Sequence, residues 1–147
     1  MSEIVSVHSR ARVNDFLRLH YLGGVPGWKA AGALVSETGL GWDGVVVLSL
    51  PIARMGTGLD VTRLCLRRGA PKNSGSRLLG WATRKAVSMG YRTVTSYADP
   101  SVGHTGIIYR AANFVDSGRT TGGSWGNRQG RKVRFTGSKL RFVWRKP

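Results

Sequence analysis

The chain has 147 residues and a formal net charge of +16, from 23 lysines and arginines against seven acidic residues. That length suits one domain, residues 1–147, which can bury a core without metals or disulfides. The single cysteine, Cys65, excludes an intramolecular disulfide and a cysteine-rich zinc module. The charge favours nucleic acid as the partner, and 17 of the 23 cations are arginine, which binds phosphate bidentately. No apolar run is long enough for a signal peptide or a bilayer span, so we expect a cytoplasmic protein without a membrane partner.

The N-terminal part of the chain predicts one helix and three strands. Apolar residues at helical spacing in residues 8–23 predict an amphipathic helix that ends near His20, before two glycines. The β-rich runs AAGALVSE (30–37) and DGVVVLSL (43–50) flank a glycine-rich turn, which predicts an antiparallel pair. VTRLCLRR (61–68) alternates leucine with arginine and predicts a third strand.

A small polar loop, RRGAPKNSGSR (67–77), leads from the third strand into a helix that Gly90 ends. Such a loop points backbone N–H groups outward with the helix dipole behind them, which is the usual form of an anion site. An ordinary strand-to-helix loop with an N-cap serine would have the same composition, and the Gly-Lys-Ser/Thr ending of a P-loop is absent. The candidate cofactor-binding residues are Lys72, Asn73, Ser74, Gly75, Ser76 and Arg77.

The stretch SYADPSVGHTGIIYRAANF (96–114) predicts the end of a fourth strand followed by a short helix. Alternation places Ser96 and Ala98 on one face of the strand and Tyr97 and Asp99 on the other, and Pro100 ends the strand. Asp99 should then lie at the sheet edge where open sheets bind ligands, although aspartate before proline also commonly caps a turn. Tyr109 on the helix is either a core residue or a group whose hydroxyl faces a site. Two histidines, at 20 and 104, could join a carboxylate around a metal, but the His-x-x-x-His spacing is absent.

The last 31 residues, 117–147, contain nine basic residues and no acid. RKVRFTGSKLRFVWRK alternates basic with apolar residues around the turn TGSK, which predicts a β-hairpin with one positive face. The overall order predicts an α/β (α+β) domain with one sheet flanked by helices. We expect residues 12–116 to form its catalytic core and residues 117–147 to form basic strands that bind nucleic acid. The candidate nucleic-acid-binding residues are Arg119, Arg128, Arg131, Lys132, Arg134, Lys139 and Arg141.

The order of these elements resembles the GNAT acyltransferase superfamily, in which a phosphate loop follows a central strand and a short helix carries a tyrosine. Four separated motifs are more closely similar to the Mom family of phage DNA-modification proteins. They are HYLG with Pro26, PKNSGSRLLGW, SYADPSVGHTGIIYRAANF and GRT, in that order between residues 12 and 121. The resemblance implies a mixed, largely antiparallel sheet.

The resemblance also implies a reaction. Mom proteins convert adenine N6 in phage DNA to carboxamidomethyl-adenine, which protects the genome from restriction in the bacterial host cytoplasm. His20 and Tyr21 occupy the family's His-Tyr motif, Ser96 and Asp99 its Ser-Tyr-Ala-Asp motif, and Tyr109 is the family tyrosine. These five residues are the catalytic candidates, and Arg77 falls in the family's Ser-Arg motif. Iron has been associated with the family, which gives His20 and Asp99 as candidate ligands.

Double-stranded DNA is then the expected substrate, with the adenine flipped out of the stack. The superfamily's loop begins with arginine or glutamine and ends with a small residue, whereas this chain has Lys72 at the first position and Arg77 at the last. This departure favours a glycyl-tRNA-type donor, which makes tRNA a possible second partner, over acyl-CoA. Two other functions fit the same residues. They are a GNAT acetyltransferase acting on a protein or small molecule, and a basic nucleic-acid-binding domain without catalysis.

Overall fold

The structure, a computed structural model, describes residues 3–20, 22–51, 58–100, 103–120, 123–125, 134–136 and 138–147. The strands are β1 (Ile4–Ser6), β2 (Ala30–Val35), β3 (Trp42–Ser49), β4 (Leu59–Leu66), β5 (Thr93–Ala98), β6 (Val115–Arg119), β7 (Gly123–Trp125), β8 (Arg134–Thr136) and β9 (Leu140–Arg145). The helices are α1 (Arg10–Phe16), which continues as a 3₁₀ turn (Leu17–Leu19), α2 (Ser74–Ser88) and α3 (Ile107–Ala111). None of the helices in these ranges is long and apolar enough to cross a membrane.

Seven strands form one mixed sheet in the order β1-β2-β3-β4-β5-β9-β6, and β7 pairs with β8 in a separate two-stranded sheet. Every neighbouring pair in the large sheet is antiparallel except β4 and β5. The predicted fold class, one largely antiparallel mixed sheet flanked by helices, is therefore confirmed.

The predicted C-terminal hairpin is wrong. β8 pairs with β7, whereas β9 lies between β5 and β6 in the large sheet. The apolar side of β9, which includes the fully buried Phe142, packs into the core beside β5. Strand alternation predicted the strand correctly, but alternation is the same whichever neighbour a strand has.

Helices cover the two faces of the sheet, and each covered face has its own hydrophobic cluster. Leu78, Leu79, Ala82 and Ala86 of α2 are buried against one face, as their helical spacing predicted. On the other face, Val13 and Leu17 of the first helical segment pack on β2 and β3. Burial of each large aliphatic side chain contributes about 1.5–3 kcal/mol. We call these sides the α2 face and the α1 face.

The parallel strands β4 and β5 pair over only two positions, Leu59 with Val94 and Asp60 with Thr95. Immediately beyond, a β-bulge leaves Thr62 of β4 without a partner on β3, and its hydroxyl donates to the Val47 carbonyl at 3.3 Å. β4 then continues along β3, while β5 continues along β9. The two strands thus part toward their carboxyl ends, which opens the centre of the sheet.

Candidate functional site

The loop before α2 exposes backbone donors at the helix N-terminus. Asn73, the N-cap residue, has φ 68° and no capping side-chain bond. The hydroxyl of Ser74 donates to the Pro71 carbonyl at 2.6 Å, and that of Ser76 donates to the Asn73 carbonyl at 3.1 Å. The alternative expectation of an N-cap serine is therefore wrong, because Asn73 is the N-cap residue. Within the described ranges, the N–H groups of Gly75 and Ser76 have no acceptor, so this turn has the features of an anion site.

The predicted cofactor-binding residues are arranged around that turn. Lys72 is exposed in the loop, and Gly75 is buried in the first turn of α2. Ser76 and Arg77 line an open groove on the outer side of the helix, together with Arg84. Phosphate groups could approach both the free N–H groups and the guanidinium groups from this side.

Tyr109 of α3 contacts β5 near the carboxyl end of that strand. Its side chain is 8% exposed, and its ring stacks on Phe142 with 5.3 Å between centroids. The hydroxyl donates to the Tyr97 carbonyl at 3.5 Å and is also hydrogen-bonded to the Ser96 side chain, which is 1% exposed. Burial raises the pKa of Tyr109, an effect that the Ser96 hydrogen bond partly offsets. The phenol therefore keeps its proton at neutral pH and is suited to donate it.

Asp99 follows β5 directly and is 4% exposed. Its backbone N–H donates to Nδ1 of His104 at 3.3 Å, and the His104 N–H donates back to the Asp99 carbonyl at 3.2 Å. These two bonds close the turn that leads to α3. The structure thus brings Ser96, Asp99 and Tyr109 to one end of β5.

His20 lies in the turn after the first helical segment, which packs on the α1 face. Its Nδ1 accepts from the Leu22 N–H at 3.0 Å. Arg63 of β4 holds this turn against the sheet by donating to the carbonyls of Gly23 at 2.8 Å and Gly24 at 3.3 Å. Tyr21, the other residue of the predicted His-Tyr pair, is outside the described residues.

The described residues do not form the iron site that the resemblance suggested. They contain no group of three or more histidine, cysteine, aspartate or glutamate side chains that could hold a metal ion. The Nδ1 atoms of both His20 and His104 accept hydrogen bonds from backbone N–H groups. We therefore derive no step through a metal.

The predicted nucleic-acid-binding residues are only partly described. Arg119 is exposed on β6, and Lys139 is half-buried before β9. Arg128, Arg131 and Lys132 lie outside the described residues, and only the backbone of Arg134 is described, in β8. In the described residues β9 pairs with β5 and β6 and not with β8, so Arg141 does not lie on the predicted hairpin. Arg141 lies in β9, opposite Tyr97 of β5.

Sequence reasoning missed Asp60 and did not group it with Tyr97 and Arg141. We call these three residues on the α1 face the polar cluster. Desolvation raises the pKa of Asp60 from its ordinary 3.8 to about 6, with the Arg141 charge acting in the opposite direction. Desolvation and the Asp60 charge raise the pKa of Tyr97, whereas the charge of Arg141 and its hydrogen bond to Tyr97 lower it. The one available signal was an aspartate inside the apolar run LDVTRLCL.

The mixed sheet with its parted central strands and a helix N-terminus at the opening is the fold of the GNAT acyltransferases. An acetyltransferase of Bacillus subtilis solved with CoA is 14% identical, with a TM-score of 0.71 over 100% of both chains. An IAA acetyltransferase of Bacillus cereus is also 14% identical, with a TM-score of 0.70 over 99% of both chains. The aminoglycoside 6'-N-acetyltransferase of Enterococcus faecium is 15% identical and covers 97% of this chain and 96% of its own, with a TM-score of 0.67.

A sequence model of the Mom protein family matches residues 17–136, most of the chain. The chain therefore belongs to the Mom protein family. None of the curated proteins matches it by sequence.

Proposed function

We propose that this chain transfers a carboxamidomethyl group to the N6 amine of adenine in DNA and so protects the DNA of a phage or prophage from restriction. Membership of the Mom family supports the reaction, and the GNAT fold supports a transferase. The single observation that carries the proposal is that the buried phenol of Tyr109, hydrogen-bonded to Ser96, and the buried Asp99 both lie at the end of β5.

The two groups have complementary tasks in this reaction. The N6 amine of adenine is a weak nucleophile because its lone pair is delocalised into the ring. Asp99 accepts a hydrogen bond from that amine and takes its proton as the new bond to N6 forms. Tyr109 gives its proton to the leaving group of the donor, and Ser96 holds the phenol in place. A positioned acid or base of this kind typically contributes ~10²- to 10⁴-fold in rate.

The donor binds through phosphate groups at the N-terminus of α2, near Arg77. Attack of N6 on the ester carbonyl of a glycyl-tRNA breaks the bond to the ribose oxygen, which takes the Tyr109 proton, and gives aminoacetyl-adenine. This is an isomer of the carboxamidomethyl product, so a rearrangement that moves N6 to the methylene carbon and the glycine amine to the carbonyl carbon must complete the reaction. A carboxamidomethyl group contains two carbons and one nitrogen, which glycine has and an acetyl group lacks. This favours a glycyl-tRNA over acyl-CoA, although CoA is bound by the Bacillus subtilis acetyltransferase of the same fold. The +16 charge suits both the DNA and a tRNA.

DNA from cells that express the protein, digested to nucleosides and weighed, tests the reaction directly. Modified deoxyadenosine is the expected product, and it should be absent from cells that express Asp99→Asn at the same level. Purified protein given DNA and one donor at a time then identifies the donor. Modification with acetyl-CoA and none with glycyl-tRNA would refute the donor assignment. Acetyl transfer without DNA would favour an ordinary GNAT acetyltransferase instead.

A further inference from the structure

The polar cluster lies on three adjacent strands of the central sheet. Asp60 of β4 is in register with Thr95 of β5, two residues before Tyr97, and Tyr97 is directly opposite Arg141 of β9. The neighbours of these residues, Leu59 and Phe142 among them, point into the α2-face core. Because strand side chains alternate, the three polar side chains share the α1 face.

Among the described residues, Arg141 has one donor without a hydrogen-bond partner. Its Nε is buried and has no hydrogen-bond partner in the described part of the chain. A buried donor without a partner is costly, so a ligand acceptor that reaches Nε after a small shift of the half-buried Arg141 side chain would be bound favourably. The Asp60 carboxylate offers an acceptor close by, since its charge acts on both Arg141 and Tyr97. The cluster thus presents one donor and one acceptor side by side.

We propose that Asp60 and Arg141 read the amine-bearing edge of the flipped base, with the Tyr97 ring beside it. This inference rests on the proposed function, because it assumes that a base leaves the duplex. Adenine places an amine donor next to a ring-nitrogen acceptor, and cytosine carries the same pattern on its pairing edge. Asp60 accepts from the amine, and Arg141 donates to the ring nitrogen. In hypoxanthine, thymine and guanine a carbonyl oxygen takes the place of this amine. An acceptor, not a donor, would then face the Asp60 carboxylate.

The cluster also lies where it can present the amine to the transfer site. The Tyr97 carbonyl accepts the hydrogen bond from the Tyr109 hydroxyl on the α2 side of β5. The same residue therefore joins the polar cluster to the proposed proton donor through its own backbone. The parting of β4 and β5 just beyond Asp60 leaves the sheet open between the two sides.

The test measures binding of the full-length protein to labelled duplexes with random flanking sequence. Each duplex carries adenine, cytosine or hypoxanthine opposite an abasic site, which makes the base easy to extrude. Adenine and hypoxanthine differ chiefly in the amine that becomes a carbonyl. We expect wild-type protein to bind the adenine and cytosine duplexes about 10-fold more tightly than the hypoxanthine duplex. In Asp60→Asn the preference for adenine over hypoxanthine should fall below about 2-fold.

Asp116→Asn is the matched control, because Asp116 is an exposed carboxylate on β6, the strand on the other side of β9. Asp116→Asn removes the same charge as Asp60→Asn and should keep the preference for the adenine duplex over the hypoxanthine duplex. A second measurement covers the case in which Asp60→Asn fails to fold. In wild-type protein the preference should weaken from pH 7 to pH 5, as Asp60 takes up a proton. Among the described residues, the charged and titratable groups that interact with Asp60 are Arg141 and Tyr97, and Ser49 is its β3 neighbour.

Equal binding of adenine and hypoxanthine by wild-type protein would overturn the inference, as would a preference that survives both Asp60→Asn and pH 5. The nucleoside analysis of cellular DNA separates these outcomes from the proposed function. Modified adenine without a base preference leaves the function standing and removes the role of the polar cluster. A preference that depends on Asp60, without any modified adenine, supports the cluster as a base-reading site and refutes the transferase.

Discussion

Gly106→Ala should destabilise the protein strongly, because Gly106 fixes the start of the helix that carries Tyr109. Gly106 is the N-cap of α3 with φ +83°, and an added Cβ would overlap the Phe142 ring, with Cε2 of that ring at 2.7 Å. The left-handed backbone costs alanine about 1–2 kcal/mol, and overpacking against a fully buried ring costs about 1–3 kcal/mol more. The expected loss is therefore about 2–5 kcal/mol, a large part of the stability of an ordinary domain.

Gly103→Ala supplies the matched control. Gly103 has φ +86° in the same connection, but an added Cβ there would meet nothing within 4 Å. It should show the backbone cost of about 1–2 kcal/mol alone, and the entropy change in the unfolded chain is the same for both variants. Urea unfolding of the two variants at one pH measures the difference. Equal losses would show that Phe142 does not hold α3 in place and would remove the packing argument for the position of Tyr109.

Three further predictions concern the site and the surface. Tyr109→Phe and Asp99→Asn should each lower adenine modification ~10²- to 10⁴-fold without changing DNA affinity, and near-normal product in both would return these residues to structural roles. The raised pKa of Asp60 means that between about pH 4 and 6 the folded protein holds a proton that the unfolded chain has released. Stability should thus fall as pH rises through this window, by on the order of 1 kcal/mol given partial solvent screening, and urea unfolding of Asp60→Asn should lack that fall. DNA affinity should fall with salt at a log–log slope of about −4 to −5 if residues 117–147 make roughly four to six phosphate contacts, so a flat response would count against DNA binding there.

The sequence predicted those parts of the fold that depend on local pattern. The helical spacing of Leu78, Leu79 and Ala82 identified the buried side of α2, and strand alternation separated Ser96 from Tyr97 correctly. The motif around Asp99 and Tyr109 identified two residues that the structure brings to the same end of β5. Each of these inferences uses contacts within one element or between consecutive elements.

What the sequence did not predict depends on which strands become neighbours. β9 alternates in the same way whether it pairs with β8 or enters the sheet beside β5, so the hairpin was a reasonable but wrong choice. Asp60 and Arg141 are far apart along the chain, and only the strand order places both beside Tyr97. An aspartate alone in a strand looks like any solvent-facing strand residue until its neighbours across the sheet are known.

Strand β5 positions groups for both halves of the proposed reaction, because its alternating side chains lie on the α2 face and on the α1 face of the sheet. Ser96 faces the α2 side and holds the Tyr109 phenol, whereas Tyr97 faces the α1 side and belongs to the polar cluster. The exposed N–H groups at the start of α2 suit a phosphate-bearing donor, and the α1 face offers hydrogen-bonding groups for a base. The donor and the base would then approach from opposite faces and meet where β4 and β5 part. A transferase of this kind needs no movement of the sheet between binding and reaction, since the gap is already present in the pairing of the strands.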